Sequence, residues 1–203
     1  MSLIVIATIA AASIAAAAGA AIAARRVRSK SKPLALAAHD KSDPVFDLLQ
    51  LQVGDVVMRG NHELWLVGAL VLTEGTECVG AVFHGSKSAG AQAEAVVVRP
   101  GPPRALAWVQ ELPLDSSSIV ADCIEANGER LKRKSRVPVS IACHGEAWQQ
   151  AKSTGLLLQY EAPSGSTAFV LCCEDAIAAW CGCWLVEGSL MRLAAGKATF
   201  RED

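Results

Sequence analysis

The chain has 203 residues, with 19 lysines and arginines against 20 aspartates and glutamates, and a formal net charge of −1. Residues 1–24 carry no charge and residues 25–41 hold six basic residues and one acidic residue, so residues 42–203 hold 13 basic and 19 acidic residues, a net of −6. An acidic domain of this kind excludes nucleic acid as a predicted partner. Seven cysteines, an odd number in a large apolar-rich domain, argue against a disulfide framework and favour free thiols in a reducing cytoplasm.

The first segment, Leu3 to Ala24, is 22 residues long and contains no charge and no proline. As a helix it would be roughly 33 Å long, enough to cross the hydrocarbon core of a bilayer. A cleaved signal peptide normally has basic residues before a shorter apolar stretch, although Ala-x-Ala sites near its end keep cleavage open as an alternative. A buried helix of a soluble domain would rarely be so uniformly apolar. We predict a retained transmembrane helix over residues 1–24.

Small residues recur along this helix in two rows. Such rows let helix backbones approach closely in lipid, where close packing drives association. The alternative interpretation is a lipid-facing helix filled with alanine. The predicted helix-packing residues are Ala12, Ala16 and Ala20 in one row and Ala15, Gly19 and Ala23 in the other.

A basic segment follows on the C-terminal side only. Because positive flanks stay in the cytoplasm, the N-terminus is predicted to lie outside and the domain in the cytoplasm, in a single-pass arrangement in the inner (cytoplasmic) membrane. Residues 25–44 are predicted to form a basic juxtamembrane tether that contacts anionic lipid headgroups, at about 1 kcal/mol per basic residue. The contacting residues are Arg25, Arg26, Arg28, Lys30 and Lys32.

From residue 45 to residue 203 the pattern predicts one mainly β, barrel- or sandwich-like soluble domain. Ser42-Asp43-Pro44 is a helix start, and after Gly54-Asp55 short apolar or alternating runs are separated by turn signals at roughly ten-residue spacing. Asn127-Gly128 is typical of a hairpin turn. Only Glu146 to Lys152 and Glu174 to Trp180 are predicted to be helical. The predicted strands are Val56–Met58, Leu64–Leu72, Cys78–Phe83, Ala95–Arg99, Ala105–Gln110, Ser118–Ala126, Val137–Cys143, Leu156–Glu161, Thr167–Cys173 and Cys183–Leu193.

A second basic run lies between two predicted strands and is interpreted as a hairpin tip. Without interleaved aromatic residues it does not resemble a nucleic-acid site, and beside a membrane it is predicted to contact lipid or an acidic partner. A merely solvated turn is the alternative. Its residues are Arg130, Lys132, Arg133, Lys134 and Arg136.

The cysteines cluster near the end of the chain, at Cys172, Cys173, Cys181 and Cys183. Zinc and iron–sulfur sites usually contain a Cys-x2-Cys pair, which this cluster lacks, and its neighbours are apolar. We therefore predict buried reduced thiols, with no metal and no cofactor. Three histidines, His62, His84 and His144, have no local catalytic partner, so no catalytic residue is predicted.

Two parts of the domain carry a family resemblance. The first is Leu51-Gln52-Val53-Gly54-Asp55-Val56-Val57 with Leu64-Trp65-Leu66-Val67-Gly68-Ala69-Leu70, and the second is Leu158-Gln159-Tyr160-Glu161 with Gly165, Trp180, Gly182 and Val186. Together they resemble the bacterial domain of unknown function 4178 family over about residues 51–193. The middle departs from the family pattern at Val79-Gly80-Ala81-Val82-Phe83. The resemblance implies a β-rich fold and a bacterial membrane setting, and it implies no biochemical activity.

These observations predict a non-catalytic accessory or structural subunit, anchored by a single helix, that docks on integral membrane protein subunits and stabilises a larger bacterial membrane complex. The alternative is a tethered cytoplasmic domain that senses a ligand or a metal, or an enzyme, built on the cluster from Cys172 to Cys183.

Overall fold

The computed structural model describes residues 44–86, 93–114, 121–148, 153–174 and 176–195. The predicted transmembrane helix and all six basic residues of the predicted tether lie outside these ranges. Within the described part of the chain, no helix is both long and apolar enough to span a membrane.

The described residues form a short helix and eleven strands. Helix α1 is Pro44–Leu49, and it begins at the proline that the sequence placed at its first position. The strands are β1 Val56–Arg59, β2 His62–Glu74, β3 Glu77–Gly85, β4 Glu94–Arg99, β5 Ala105–Glu111, β6 Cys123–Ala126, β7 Glu129–Gly145, β8 Thr154–Glu161, β9 Ser166–Cys172, β10 Ile177–Trp184 and β11 Met191–Leu193.

Eight of these strands close into an antiparallel barrel. Their order around the barrel is β2-β3-β4-β5-β10-β9-β8-β7, and the end of β7 pairs with β2 from Gly68↔Gly145 to Thr73↔Ser140. Strands β1 and β11 extend the sheet from the start of β2, and β6 pairs with the start of β7. The mainly β prediction is confirmed, and of its two forms the barrel is the one observed.

Closure depends on a close approach between β2 and the end of β7. Gly68 lies where the two strands meet, and a Cβ atom there would be 2.4 Å from the backbone carbonyl carbon of Glu146. Only a residue without a side chain fits that crossing. A register shift in the β2–β3 pairing between Leu66 and Gly68 bends the strand at the same point.

Side chains alternate between the inside and the outside of the barrel wall. All eight barrel strands contribute to one apolar cluster, which therefore fills the interior, with Leu70, Val82, Val97, Val109 and Ile141 among its members. Two further clusters cover the outer wall. One lies beneath α1 and β1, and the other beneath β6.

Several local predictions are wrong. Residues 146–148, the described part of the predicted helix Glu146 to Lys152, are not helical, and the predicted strand Cys183–Leu193 is interrupted between β10 and β11. Glu174 to Trp180 was predicted as a helix, but Ile177–Trp184 is β10, because pairing on both sides overrides the helical preference of its alanines. The basic run is not a hairpin tip, because Arg130 to Arg136 lie within β7. The tip is instead Asn127-Gly128, with φ angles of 52° and 77°, as the sequence predicted for that pair.

Candidate functional site

An apolar patch lies on the small sheet formed by β11, β1 and the start of β2. The register places Leu193, Val56 and Trp65 side by side, and Met191 beside Met58 in the next row. Paired residues and residues two apart share one face of a sheet, so all five point the same way. Trp65 and Met191 are each 61% exposed and Leu193 is 51% exposed. We call Val56, Met58, Trp65, Met191 and Leu193 the exposed apolar face.

The opposite side of the same small sheet packs against the barrel. Val57 and Leu64 are directly paired and are both buried in the cluster beneath α1. One face of this small sheet therefore packs against the barrel, and the opposite face is exposed. Soluble proteins rarely expose contiguous apolar patches without a binding role, which makes this face a candidate interaction surface.

A buried ion pair holds β11 in position. Asp55 is fully buried, and its carboxylate accepts hydrogen bonds from the backbone N–H groups of Gln52 and Ala195, each at 2.9 Å. The guanidinium of Arg192 contacts the same carboxylate, with Nε 2.7 Å from Oδ2. Arg192 also donates from Nη1 to the backbone carbonyl of Gln50 at 3.0 Å. These bonds fix the strand that carries Met191.

A second candidate site is a polar cleft of about 430 Å³ on the outer wall. Trp108 and Cys181 belong to the outer clusters, whereas Val109 and Trp180 beside them belong to the interior cluster, so the cleft lies outside the barrel. We call it the outer-wall cleft. Its principal side chains are Arg59, His62, Glu94, Trp108, Cys181 and Cys183.

Glu94 is the centre of the hydrogen bonds in the outer-wall cleft. The Nε2 atom of His62 lies 2.6 Å from Oε2 of Glu94, and Trp108 Nε1 and Gln110 Nε2 each donate to Oε1 at 3.3 Å. Burial alone would raise the pKa of Glu94, but these hydrogen bonds together outweigh burial and lower that pKa below its ordinary value. The carboxylate is therefore held in its charged form.

Each thiol of the cleft has a nitrogen donor beside it. Nη2 of Arg59 lies 3.8 Å from Sγ of Cys183, and Nδ2 of Asn127 lies 3.8 Å from Sγ of Cys181. Cys181 is only 5% exposed, and burial raises the pKa of its thiol. Cys183 is half-buried. The two sulfurs thus share one face of β10 but differ in their access to solvent.

The structure separates the predicted thiol cluster. Cys172 pairs with Ile177, four positions before Cys181 on β10, so the two cysteines are roughly 13 Å apart along the strand. Among the described residues, no group of three or more histidine, cysteine, aspartate or glutamate side chains is arranged to hold a metal ion. The metal-sensing alternative therefore has no site in this part of the chain.

The second basic run lies on β7, where it forms ion pairs within the domain. Arg133 pairs with Asp122, and Nζ of Lys134 lies 3.3 Å from Oε2 of Glu161. Arg130, Lys132 and Arg136 are exposed on the same strand. The remaining predicted site residues lie outside the described residues: Ala12, Ala15, Ala16, Gly19, Ala20, Ala23, Arg25, Arg26, Arg28, Lys30 and Lys32.

No local pattern indicated the His62–Glu94 pair, since the two residues are 32 positions apart and lie on different strands. The lack of a partner close to His62 in the sequence therefore did not indicate whether His62 has a partner in the folded chain. The one available signal for this cluster was the alternation of side chains along β4 and β5, which places Glu94 opposite Gln110 on one face of the wall.

The fold and the two sites define a closed eight-stranded antiparallel barrel with an exposed apolar face and a polar outer-wall cleft. Comparison with known proteins finds no matching family model, and no curated protein or solved structure that is similar to the chain. The resemblance to the domain of unknown function 4178 family stays a prediction.

Proposed function

We propose that the protein is a single-pass, membrane-anchored accessory subunit whose barrel docks on integral membrane protein subunits through the exposed apolar face. The observation that carries the proposal is the exposure of Trp65, Met191 and Leu193 side by side on a sheet that is fixed from behind. Aromatic residues and methionine are enriched in the cores of protein interfaces, and charged residues are depleted there. Five positions of this face match that composition, and the exposed Glu63, which pairs with Met58, is the charged residue beside them.

The edge of β11 adds a second means of attachment. Strand β11 is the last strand of the sheet on its side, so its outer backbone groups have no neighbouring strand among the described residues. Such an edge can pair with an extended segment of a partner while the neighbouring apolar side chains fill pockets on that partner. Met191 and Leu193 lie on this strand and would be central to the contact.

The proposed location follows from the sequence. The uncharged run from Leu3 to Ala24 is proposed to cross the inner membrane with its N-terminus outside, so that the barrel lies in the cytoplasm. The small-residue rows would pack against helices of the same partner subunits, and the basic residues after the run would contact anionic headgroups. The exposed apolar face would then dock on the cytoplasmic part of a membrane subunit.

A paired substitution tests this proposal in full-length protein extracted with a mild detergent. Trp65→Ser with Leu193→Ser removes two large side chains from the exposed apolar face. Leu48→Ser is the matched control, since Leu48 is 53% exposed but lies on α1. On native gels, we expect the wild type and the control to migrate in a larger complex and the paired variant to migrate alone.

The thermal unfolding midpoint of each variant is measured beside the gels to check that the variant is folded. Both substitutions of the paired variant are at exposed positions, so they should leave the fold intact. A folded paired variant that still migrates in the complex at wild-type yield would rule out the exposed apolar face as the docking surface. Replacing residues 3–24 with an unrelated transmembrane helix separates the contribution of the barrel from that of the anchor.

A tethered ligand-sensing domain or enzyme is the second candidate, and the outer-wall cleft is the observation that favours it. Cys181 and Cys183 of the predicted thiol cluster line this cleft together with the His62–Glu94 pair. A sensing role or an enzyme activity would survive exchange of the anchor for another helix and would be lost on substitution within the cleft. An accessory subunit would show the reverse pattern.

A further inference from the structure

We propose that one end of the barrel binds a small organic cation, a protonated amine carried on an apolar body. The site is a pocket of about 480 Å³ at the end where β3, β5 and β7 finish and β4, β8 and β10 begin. We call it the mouth pocket. It is separate from the exposed apolar face, so its test does not depend on docking through that face.

The opposite end of the barrel is filled by side chains. Trp184, the last residue of β10, packs against the interior cluster and meets the ring of Phe169 edge-on, with the ring centroids 5.6 Å apart. The guanidinium of Arg99, the last residue of β4, lies over the Trp184 ring at 5.0 Å from its centroid. An eight-stranded barrel is just wide enough to be filled by side chains or to hold one small ligand. The mouth pocket is therefore the end of this barrel that a small ligand can enter.

Aromatic and small side chains form the apolar wall of the mouth pocket. Trp180 is buried in the interior cluster, and Trp148 packs against the same cluster from the chain that follows β7. The ring of His84 lies 5.7 Å from that of Trp180. Ala147 and Ala178 line the pocket beside these rings, and their small side chains leave room for a ligand. Small-molecule sites are typically of this size and composition, and they occur at the mouths of barrels.

The crossing that closes the barrel also places Trp148 at the mouth pocket. The backbone N–H of Glu146 donates to the carbonyl of Val67 at 2.8 Å. Gly68 approaches the peptide between Glu146 and Ala147 so closely that a side chain would not fit. Trp148 follows directly in the chain. This wall of the pocket is therefore formed before a ligand arrives, which lowers the cost of binding in lost conformational freedom.

Carboxylates dominate the charge at this end of the barrel. Glu111 and Glu146 are exposed and line the pocket, and Glu94 lies between it and the outer-wall cleft. Counted from the sequence, Glu94, Glu111 and the connections 86–93, 146–153 and 173–176 hold five acidic residues and two basic residues. The acidic residues are Glu94, Glu111, Glu146, Glu174 and Asp175, and the basic residues are Lys87 and Lys152.

The charge and the aromatic wall together favour a cation over an anion or a neutral ligand. A cleft lined by one sign of charge raises the local concentration of ions of the opposite sign. The face of a tryptophan ring attracts a cation more strongly than that of any other aromatic side chain. An amine with an apolar body would place its body against Trp148 and Trp180 and its charge near the carboxylates of Glu111 and Glu146.

The test uses the tryptophans of the chain as reporters of where a ligand binds. Fluorinated tryptophan is incorporated into the full-length protein in mild detergent, and the fluorine NMR signals of the five tryptophans are assigned by single substitutions with phenylalanine. Three probes of similar size are titrated: phenethylamine is cationic, phenethyl alcohol is neutral and phenylpropionate is anionic. Trp65, on the exposed apolar face, and Trp184, at the filled end, are the internal references.

We expect phenethylamine to shift the signals of Trp148 and Trp180 in a saturable way and to leave those of Trp65 and Trp184 unchanged. Its Kd should be about tenfold lower than that of phenethyl alcohol, since the neutral probe lacks both the carboxylate contact and the cation–π contact. Phenylpropionate should bind more weakly still. High salt should narrow the difference between the cationic and the neutral probe.

Two pairs of variants locate the site. Ala178→Leu fills the mouth pocket and should abolish binding of phenethylamine, whereas Ala142→Leu, at an exposed position on β7 outside the pocket, should preserve it. Glu146→Gln should weaken binding of phenethylamine about threefold and leave that of phenethyl alcohol unchanged. Glu125→Gln, at an exposed position on β6, is its matched control and should change neither.

The wild-type titration decides the matter even where a variant fails to fold. The absence of a saturable shift at Trp148 and Trp180, or equal affinity for the three probes, would overturn the proposal. A shift of Trp65 as large as those of Trp148 and Trp180 would show non-specific binding and would overturn it as well. None of these results would bear on docking through the exposed apolar face, which the native gels test separately.

Discussion

The buried carboxylate of Asp55 gives the sharpest test of how the small sheet is held on the barrel. Asp55→Ala would leave the guanidinium of Arg192 without its counter-charge and two backbone N–H groups without their acceptor. Removing one partner of a buried ion pair costs about 3–5 kcal/mol. The Arg192 side chain is 36% exposed, so water can relieve part of that cost, and we expect a loss near the lower limit, about 3 kcal/mol. For a chain of this size that corresponds to a fall of roughly 10 °C in the unfolding midpoint.

The assay is thermal unfolding of the full-length protein in mild detergent, followed by tryptophan fluorescence. Asp122→Ala is the matched control, because Asp122 also pairs with an arginine, Arg133, but its side chain is 85% exposed. An exposed pair of this kind contributes about 1 kcal/mol or less. If Asp55→Ala lowers the unfolding midpoint no more than Asp122→Ala does, the conclusion that Asp55 holds β11 in position is wrong.

Three further predictions concern the barrel wall and the thiols. Gly182→Ala should destabilise the protein by about 1–3 kcal/mol, since its Cβ would lie 2.0 Å from the backbone oxygen of Trp108, and thermal unfolding measures this. Because folding lowers the pKa of Glu94, its charged carboxylate stabilises the folded state above pH 4.5, the ordinary pKa of this group. That stabilisation is lost as the pH falls through the lower pKa of the folded state. Glu94→Gln should therefore lose less stability than the wild type on acidification, and equal losses would refute the assignment. Elemental analysis should find neither zinc nor iron at stoichiometric level, since Cys172 and Cys181 lie on separate parts of the barrel.

Local patterns in the sequence predicted most of the strands. Leu66 to Leu72 and Cys78 to Phe83 are apolar because both runs are enclosed between the barrel interior and an outer cluster. The turn at Asn127-Gly128 was predicted from residue type alone, because few other pairs tolerate two positive φ angles. These features depend on neighbours close in the chain and are therefore visible before folding.

Features set by distant partners could not be predicted. The charges from Arg130 to Arg136 resemble a turn, but they alternate with buried or half-buried residues such as Leu131 on β7, which pairs with three other strands. Closure of the barrel depends on β2 meeting β7 at a point 77 residues later, as Gly68↔Gly145 shows. The outer-wall cleft likewise assembles side chains from five strands and one turn, so its geometry exists only in the folded chain.

The central proposal is that the exposed apolar face docks on a membrane subunit, and site-specific photo-crosslinking in intact membranes tests it most directly. A photoreactive amino acid is placed at Trp65, on the face, or at Glu125, an exposed position on β6. We predict one crosslinked product of constant mass from position 65, containing an integral membrane protein, and none from position 125. Absence of a product from position 65, or the same product from both positions, would contradict docking through this face.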